Sequence, residues 1–370
     1  MSKKEFSLPP LSPLIGSKLS NYIKITSKEQ IETKYLLKYF LTGAIISILS
    51  PLRWYEDWKY RDTSQVKVNK PVFILGHWRS GTTLLHNLLC QTEKAAFVST
   101  YQTVFTNYMA SKPLMAPLMN WLTPETRPSD NVKLHYTYPQ EEEFALSNIS
   151  EASFYNFFYF PKKASDFFER YISFSSEKDK AKWAKDYDGL LKKTSLINHN
   201  QQLFIKNPAS TARLDTLRSL YPDARFIHIY RNPYTVFLST MKFFKELMPT
   251  LWFQELTDEE IEKMVIQNYT KLMDSFYTQV KPDDRLIEIR FEELERSPIE
   301  SLVEIFDQLD ISGFKESKSN FEKYLDQQGP YKKNKYSISI REKDLVEKHW
   351  ADYLQRWNYD LPDNMEIIKN

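Results

Sequence analysis

The sequence predicts an α/β fold of three layers around a central parallel sheet, with helical insertions. Three observations carry this. Pro71–Leu89 reads as a short apolar strand (Val72–Leu75), a glycine-bounded loop (Gly76–Gly81) and a helix with Leu84, Leu85, Leu88 and Leu89 on one side. Three later apolar runs end in charged or polar residues and lead into helical patterns: Leu203–Lys206, Arg225–Tyr230 and Leu286–Arg290. This alternation runs from Pro71 to about Leu309, the pattern of parallel strands joined by helices.

The chain has 370 residues, 42% of them hydrophobic and 15% aromatic, enough for a large core. Its net charge of +2 gives no polyanion signal, so nucleic acid is not an expected partner. The single cysteine, Cys90, excludes an intrachain disulfide framework or a cysteine-based metal site. It fits a reducing, cytoplasmic setting, and Met-Ser-Lys-Lys-Glu-Phe-Ser at the start lacks a secretory pattern. Residues 1–64 read as a helical extension, irregular to about 35, then helical over 36–60 with a break near Pro51. The apolar run Tyr39–Leu49 is short for a bilayer span of roughly 20 residues. Lys38 precedes it, and Arg53, Trp54, Tyr55, Trp58 and Lys59 follow. Residues 36–59 therefore suit either peripheral membrane contact or packing on the domain.

The loop itself is P-loop-like. Gly76 and Gly81 have the spacing of a nucleotide-binding loop, but Thr82-Thr83 stand where a nucleotidase carries Lys-Ser/Thr. The cation is Arg79, inside the loop. Amides at a helix N-terminus, with the helix dipole behind them, form an anion site. Ser80, Thr82 and Thr83 add hydroxyls, and the Arg79 fork suits phosphate or sulfuryl oxygens. Gly-His-Trp-Arg-Ser-Gly-Thr-Thr-Leu-Leu-His, residues 76–86, resembles the 5′-phosphosulfate loop of the sulfotransferases that use 3′-phosphoadenosine 5′-phosphosulfate (PAPS), in their Arg-Ser-Gly-Thr-Thr branch. The resemblance covers roughly residues 65–340. It implies a sulfotransferase-like α/β domain there, with PAPS as donor, 3′-phosphoadenosine 5′-phosphate (PAP) as product and no metal.

After the loop helix, Phe97–Ser99 reads as a second short strand. Residues 101–200 form a largely helical, substrate-side insertion. Its first part, with apolar residues from Tyr101 to Trp121, is a Met-containing stretch divided by Pro113, Pro117 and Pro124, which suits a mobile apolar pocket or ordinary packing equally. In Tyr138–Leu146, Pro139 reads as the first helical position, with Glu141, Glu142 and Glu143 in the first turn. Carboxylates there complement the helix dipole on their own account. Sulfuryl transfer also needs a group to take the acceptor's hydroxyl proton. A similar Pro-x-Glu-x-Glu-Phe-Ala-Leu stretch recurs in the resembling branch, so Glu141, then Glu143, are the candidate bases, with His77 and His86 as rivals. On a helix Glu141 and Glu143 lie about 200° apart and cannot both face one pocket. Aromatic residues at 154–160 read as part of an apolar entrance, and Lys178–Lys193 as a solvated helix face.

Lys206 ends a strand, where ligands of parallel sheets bind, and can neutralise charge on a leaving oxygen. Arg231 ends the next strand, and Ser239 lies eight residues on, in the helix begun by Pro233. The resemblance makes this pair the 3′-phosphate site. Phe291-Glu-Glu-Leu294 after the next strand reads as structural, ordering a neighbouring loop. By resemblance, the basic loop with Lys332, Lys333 and Asn334 closes over the donor. Residues 341–370 form a final helix, anchored by Trp350 and Trp357, and a tail.

A sulfotransferase acting on a hydroxyl is the function this pattern implies. The apolar character of 36–55 and 101–121 favours a lipid or hydrophobic alcohol as acceptor, and leaves oligomeric state open. The alternatives are a P-loop kinase or NTPase, which lacks its lysine and a strand-ending aspartate here, and a non-catalytic nucleotide-binding protein.

Overall fold

The structure, a computed structural model, describes residues 11–122, 135–281, 285–328 and 336–368. The chain forms two compact units, each assembled from separated segments. One comprises Val68–Phe97, Asn198–Phe243 and Asp258–Asn370; the other comprises Met1–Lys67, Val98–Ile197 and Phe244–Thr257.

The first unit is α/β. Its main sheet has β1 (Val72–Leu75), β2 (Ala95–Ala96), β3 (Gln202–Lys206), β4 (Arg225–Tyr230) and β5 (Leu286–Arg290), in the order β2-β3-β1-β4-β5, and a second pairs Ser337–Ser339 with Glu366–Ile368. Every pairing is parallel, with Ile74 beside Lys206 and Leu75 beside His228. All four residues of β1 are buried, as expected of a central strand covered on both faces. Val72 and Ile74 point into one layer with Leu85, Leu88, Leu89, Ile227 and Ile287. Phe73 points to the other and stacks on Phe226 at 5.7 Å. Parallel pairing puts the ends of β1, β3 and β4 at one edge. The chain leaves β1 toward β3 on one side and later places β4 on the other, so the crevice between β1 and β4 is the switch point where such sheets bind ligands.

The second unit is helical. The expected break at Pro51 does not occur: one helix spans Leu36–Lys59 with Pro51 inside it. Proline there sacrifices its own hydrogen bond, and the buried anchors Thr42, Ile46 and Glu56 hold the helix together. The expected strand Phe97–Ser99 is also corrected. The β2 pairing ends at Ala96, and Ser99 instead caps the helix Thr100–Val104 through a capping box with Gln102. Pro139 does not begin a helix but bridges Ser99 in antiparallel fashion. The helix runs Glu142–Ile149 with Glu141 as its extended N-cap residue. The aromatics at 154–160 are core, not entrance: Phe154 and Phe157 stack at 4.5 Å, and all are buried. In the helix Glu177–Ile197, Trp183, Tyr187 and Leu191 are buried. Lys193 is no solvated residue either. It pairs with buried Glu56 and donates to the Thr106 carbonyl at 2.7 Å.

Candidate active site

Backbone geometry shapes the loop after β1. Gly76 has φ +133°, and a Cβ there would lie 2.3 Å from the Ile229 carbonyl of β4. Its amide donates to the Thr211 hydroxyl at 2.7 Å. Arg79 has φ +72°. Gly81 has φ +93°, and a Cβ there would stand 2.0 Å from the Phe291 ring, so only glycine lets the loop rest on that ring. Gly81 then starts the helix Thr82–Leu89 without a side-chain cap. The first-turn amides of a helix have no carbonyl partners of their own, which is the basis of anion binding. Ser80 and Thr82 are buried and Thr83 is half-buried.

The turn at Arg79 brings two strand ends together. Its Nε donates to the Ser239 hydroxyl at 2.8 Å. Arg231, just beyond β4, donates from Nη1 to the Arg79 carbonyl at 3.3 Å and lies 4.2 Å over the Phe291 ring. Arg79, Arg231 and Ser239 line one cavity of about 210 Å³, together with Asn232, Thr235, Phe291, Glu292 and Tyr359. Two guanidinium groups and a hydroxyl on a small cleft suit a phosphate. Around them the turn is fixed: the Asn232 amide donates to Glu292 Oε1 at 3.2 Å, and Asn232 Nδ2 to the Asp360 carbonyl at 2.8 Å. Tyr359 OH donates to Glu292 Oε2, and the Arg290 guanidinium sits 4.0 Å over the Tyr359 ring. Glu292 thus orders the turn that carries Arg231, the structural role expected of the Phe291–Leu294 segment. The tail residues Pro362, Asn364 and Met365 complete the wall. Residues 359–365 carry no motif, so nothing in the residue pattern announces the tail at this site.

Lys206 ends β3 buried, beside Ile74. His86, in the loop helix, bonds through Nε2 to the Phe204 carbonyl at 3.0 Å. Burial, then the Lys206 cation, pushes its pKa down to about 3. His77 is buried too, its ring 4.9 Å from Tyr269 and its Nδ1 2.8 Å from the Trp78 carbonyl. A carbonyl only accepts, so Nδ1 carries the proton. Burial lowers the His77 pKa to about 4, against which the Trp78 bond acts. Both rings are neutral at pH 7.

The three glutamates belong to the helical unit. Glu141 is half-buried, and Tyr155 OH donates to its Oε2 at 2.6 Å. Glu142 is fully buried and receives Tyr187 OH at 2.8 Å. Glu143 is fully buried, and its Oε1 receives the Phe154 amide at 2.8 Å and the Ser153 hydroxyl at 3.1 Å. Lys332, Lys333 and Asn334 lie outside the described residues. Tyr336, close behind them in sequence, lines the cavity. Among the described residues no cluster of three or more His, Cys, Asp or Glu could hold a metal ion.

Known proteins agree with this architecture. The chain is 28% identical over 305 residues to the proteins named omega-hydroxy-beta-dihydromenaquinone-9 sulfotransferase Stf3 from Mycobacterium bovis and Mycobacterium tuberculosis, covering 81% of this chain and 78% of theirs. Its fold is similar to the crystal structure of sulfotransferase STF1 from Mycobacterium tuberculosis, with a TM-score of 0.64 and 15% identity over 91% of this chain and 94% of that one. It is also similar to sulfotransferase STF9 from Mycobacterium avium, with a TM-score of 0.62 and 14% identity over 99% and 100% of the two chains. The family model described as "Sulfotransferase family" matches residues 71–316, from the start of β1 past the last strand of the sheet, so this chain belongs to the sulfotransferase family and is a sulfotransferase.

Proposed function

We propose that the sulfuryl donor is PAPS and that the acceptor is the hydroxyl of a lipid or other hydrophobic alcohol. The observation that carries the donor reading is the meeting of Arg79, Arg231 and Ser239 on one cavity at the β1–β4 switch point. In this reading these three hold the 3′-phosphate. The 2.8 Å bond from Arg79 to Ser239 draws Arg79 into that set, beyond its expected role beside the phosphosulfate. The amides at Gly81–Thr83, with Ser80, Thr82 and Thr83, hold the 5′-phosphosulfate, and Lys332, Lys333 and Asn334 close over the donor. No metal is needed, because guanidinium groups and amides neutralise the charge.

The transfer is in line. The acceptor oxygen forms a bond to sulfur as the bond from sulfur to the bridging phosphate oxygen breaks, and PAP leaves with the electron pair. Glu141 takes the acceptor's proton, with Tyr155 orienting its carboxylate. Glu143 is the second candidate base. Its bonds to Phe154 and Ser153 make holding that turn its main task. Lys206 stabilises the charge on the departing oxygen. The acceptor reading draws on the relatives named for a menaquinone-derived substrate and on the exposed apolar helix of this chain. We place the enzyme in the cytoplasm, at a membrane surface.

Calorimetric titration with PAP, and with ATP with and without Mg²⁺, tests the donor reading. PAP binds without metal, and Arg231→Ala weakens it by about 10- to 100-fold, the effect of one charge-assisted contact. Preference for Mg·ATP over PAP would overturn it. Sulfation of long-chain alcohols with PAPS tests the acceptor, and activity confined to sugars would reject it.

A further inference from the structure

The helix Leu36–Lys59 buries polar anchors on one side and leaves large apolar residues on the other. Its inner side carries the polar anchors. Buried Thr42 donates to the Lys38 carbonyl at 2.7 Å and receives the Ser12 amide at 3.0 Å. Buried Glu56 receives the Ala110 amide at 2.5 Å and pairs with Lys193. Lys38 Nζ donates to the Thr250 and Trp252 carbonyls at 2.8 and 3.0 Å.

The outer side is apolar and uncovered: Phe40 is 65% exposed, Ile48 75%, Trp54 70% and Trp58 64%, with Leu37 and Tyr55 on the same surface. No charged residue interrupts Tyr39–Leu52. The stretch Thr33–Lys59 is long and apolar enough to cross a bilayer by length and composition alone. A helix in water buries its apolar stripe and leaves its outer side polar; this one buries Thr42 and Glu56 beside Ile46 and leaves its largest apolar residues outside.

We propose that this helix lies in the plane of a lipid bilayer, with Phe40 and Ile48 among the acyl chains and Trp54, Tyr55 and Trp58 at headgroup level. The geometry excludes spanning, which would strip Glu56 and Lys38 of their partners and turn them toward hydrocarbon. The ring-rich end is followed by exposed Lys59 and Arg61, which complement anionic headgroups. The proposal deepens the lipid-acceptor reading and rests on it for its purpose, since the enzyme would draw its acceptor from that bilayer. Within the same unit, Leu49 and Leu52 on the inner side pack on a cluster with Met109, Met115 and Met119. The helix Thr100–Val104 of that cluster packs in turn on the helix capped by Glu141. An adaptable methionine layer thus lies between the bilayer-facing helix and the proposed base.

The test is flotation with vesicles of phosphatidylcholine and phosphatidylglycerol, without donor or acceptor. The wild type floats with the vesicles. The triple variant Phe40→Ser, Ile48→Ser and Trp58→Ser loses at least tenfold in bound fraction, yet keeps its turnover of a short, water-soluble alcohol. In a second measurement, lipids brominated near the glycerol end of the chain quench tryptophan fluorescence more than lipids brominated near the methyl end. Trp54→Phe with Trp58→Phe removes that quenching; these conservative changes decide the matter if the serine variant does not fold. A wild type that stays with the soluble fraction overturns the proposal, as does a variant that floats equally well. Stronger quenching from the methyl end would mean a spanning helix. A wild-type dimer that the variant converts to monomer in vesicle-free buffer would mean a second copy covers this face. If the protein floats but sulfates no lipid alcohol, the acceptor reading fails and the surface stands; sulfation of detergent-dispersed lipid without flotation gives the reverse.

Discussion

The α/β unit and the helical unit position their charged groups by different means. In the α/β unit, Lys206 and Arg231 stand at or just beyond the ends of β3 and β4, and the loop carrying Arg79 follows β1. Their placement is set by sheet register and backbone turns. In the helical unit, the carboxylates of Glu141 and Glu142 are each held by a tyrosine hydroxyl, from Tyr155 and Tyr187. Their placement is set by aromatic packing. An anion site needs a backbone edge with amides and cations converging on it. A proton acceptor needs one carboxylate in one orientation, and a packed phenol supplies that. The division predicts that donor binding and chemistry respond separately to substitution.

The largest separation is expected from Glu141→Gln. A general base contributes about 10²- to 10⁴-fold, so kcat falls by that factor while PAP affinity stays within about twofold. Steady-state rates beside calorimetry measure both. Equal loss in both quantities would break the comparison, because the glutamate would then be shaping the donor site. Retention of activity in Glu141→Gln with loss in Glu143→Gln would move the base two residues along.

The two units also differed in how far the sequence revealed them. The ends of β3, β4 and β5 were legible, because each is a short apolar run stopped by a charged or polar residue, and Pro233 announces the helix after β4, whereas the two-residue β2 was misplaced. Arg79 could be recognised as a loop cation, but its bond to Ser239 depends on a left-handed turn that no residue pattern encodes. Nor did any pattern link Tyr359 to Glu292, across 67 positions of chain. In the helical unit, Pro139 and the aromatics at 154–160 were misread for one reason. Proline and apolar residues fit a helix start or a bridge, an entrance or a core, and only tertiary packing chooses. The helix Leu36–Lys59 stood between two readings, because its uncharged middle, Tyr39–Leu52, fits either and the decisive fact is which side bears its buried polar anchors.

A smaller effect belongs to the loop of the α/β unit. His77 and His86 are held neutral by burial, with pKa values lowered from 6.5 to about 4 and about 3. The unfolded chain therefore binds more protons below pH 6.5, and stability falls as pH drops. The loss begins at the unfolded value and continues to the folded ones, at up to about 1.4 kcal/mol per pH unit for each histidine. Denaturant midpoints at pH 7 and pH 5 measure it. His77→Asn with His86→Gln, chosen to mimic the bonding nitrogens, reduces the difference between the two pH values. An undiminished difference would assign the acid sensitivity to groups other than these two histidines.

The smallest expected effect probes the edge of the donor cavity. Burial, then the Glu292 charge, holds the Tyr359 phenol well above its ordinary pKa, so it remains a donor to that carboxylate. Tyr359→Phe keeps the ring under Arg290 and removes the hydroxyl that bonds Glu292 and meets the Arg290 guanidinium. A bond to a charged group contributes about 1.5–3 kcal/mol, and the loss appears mainly in stability, because Glu292 keeps the Asn232 amide. PAP affinity falls about three- to tenfold and kcat is unchanged. The contrast with Arg231→Ala makes this informative. A side chain that acts by ordering the turn costs less affinity than one that meets the phosphate itself. If Tyr359→Phe weakened PAP as much as Arg231→Ala does, the tail would be a direct contact of the donor. The anion site would then depend on chain far from the strand ends, and its construction would no longer differ from that of the helical unit.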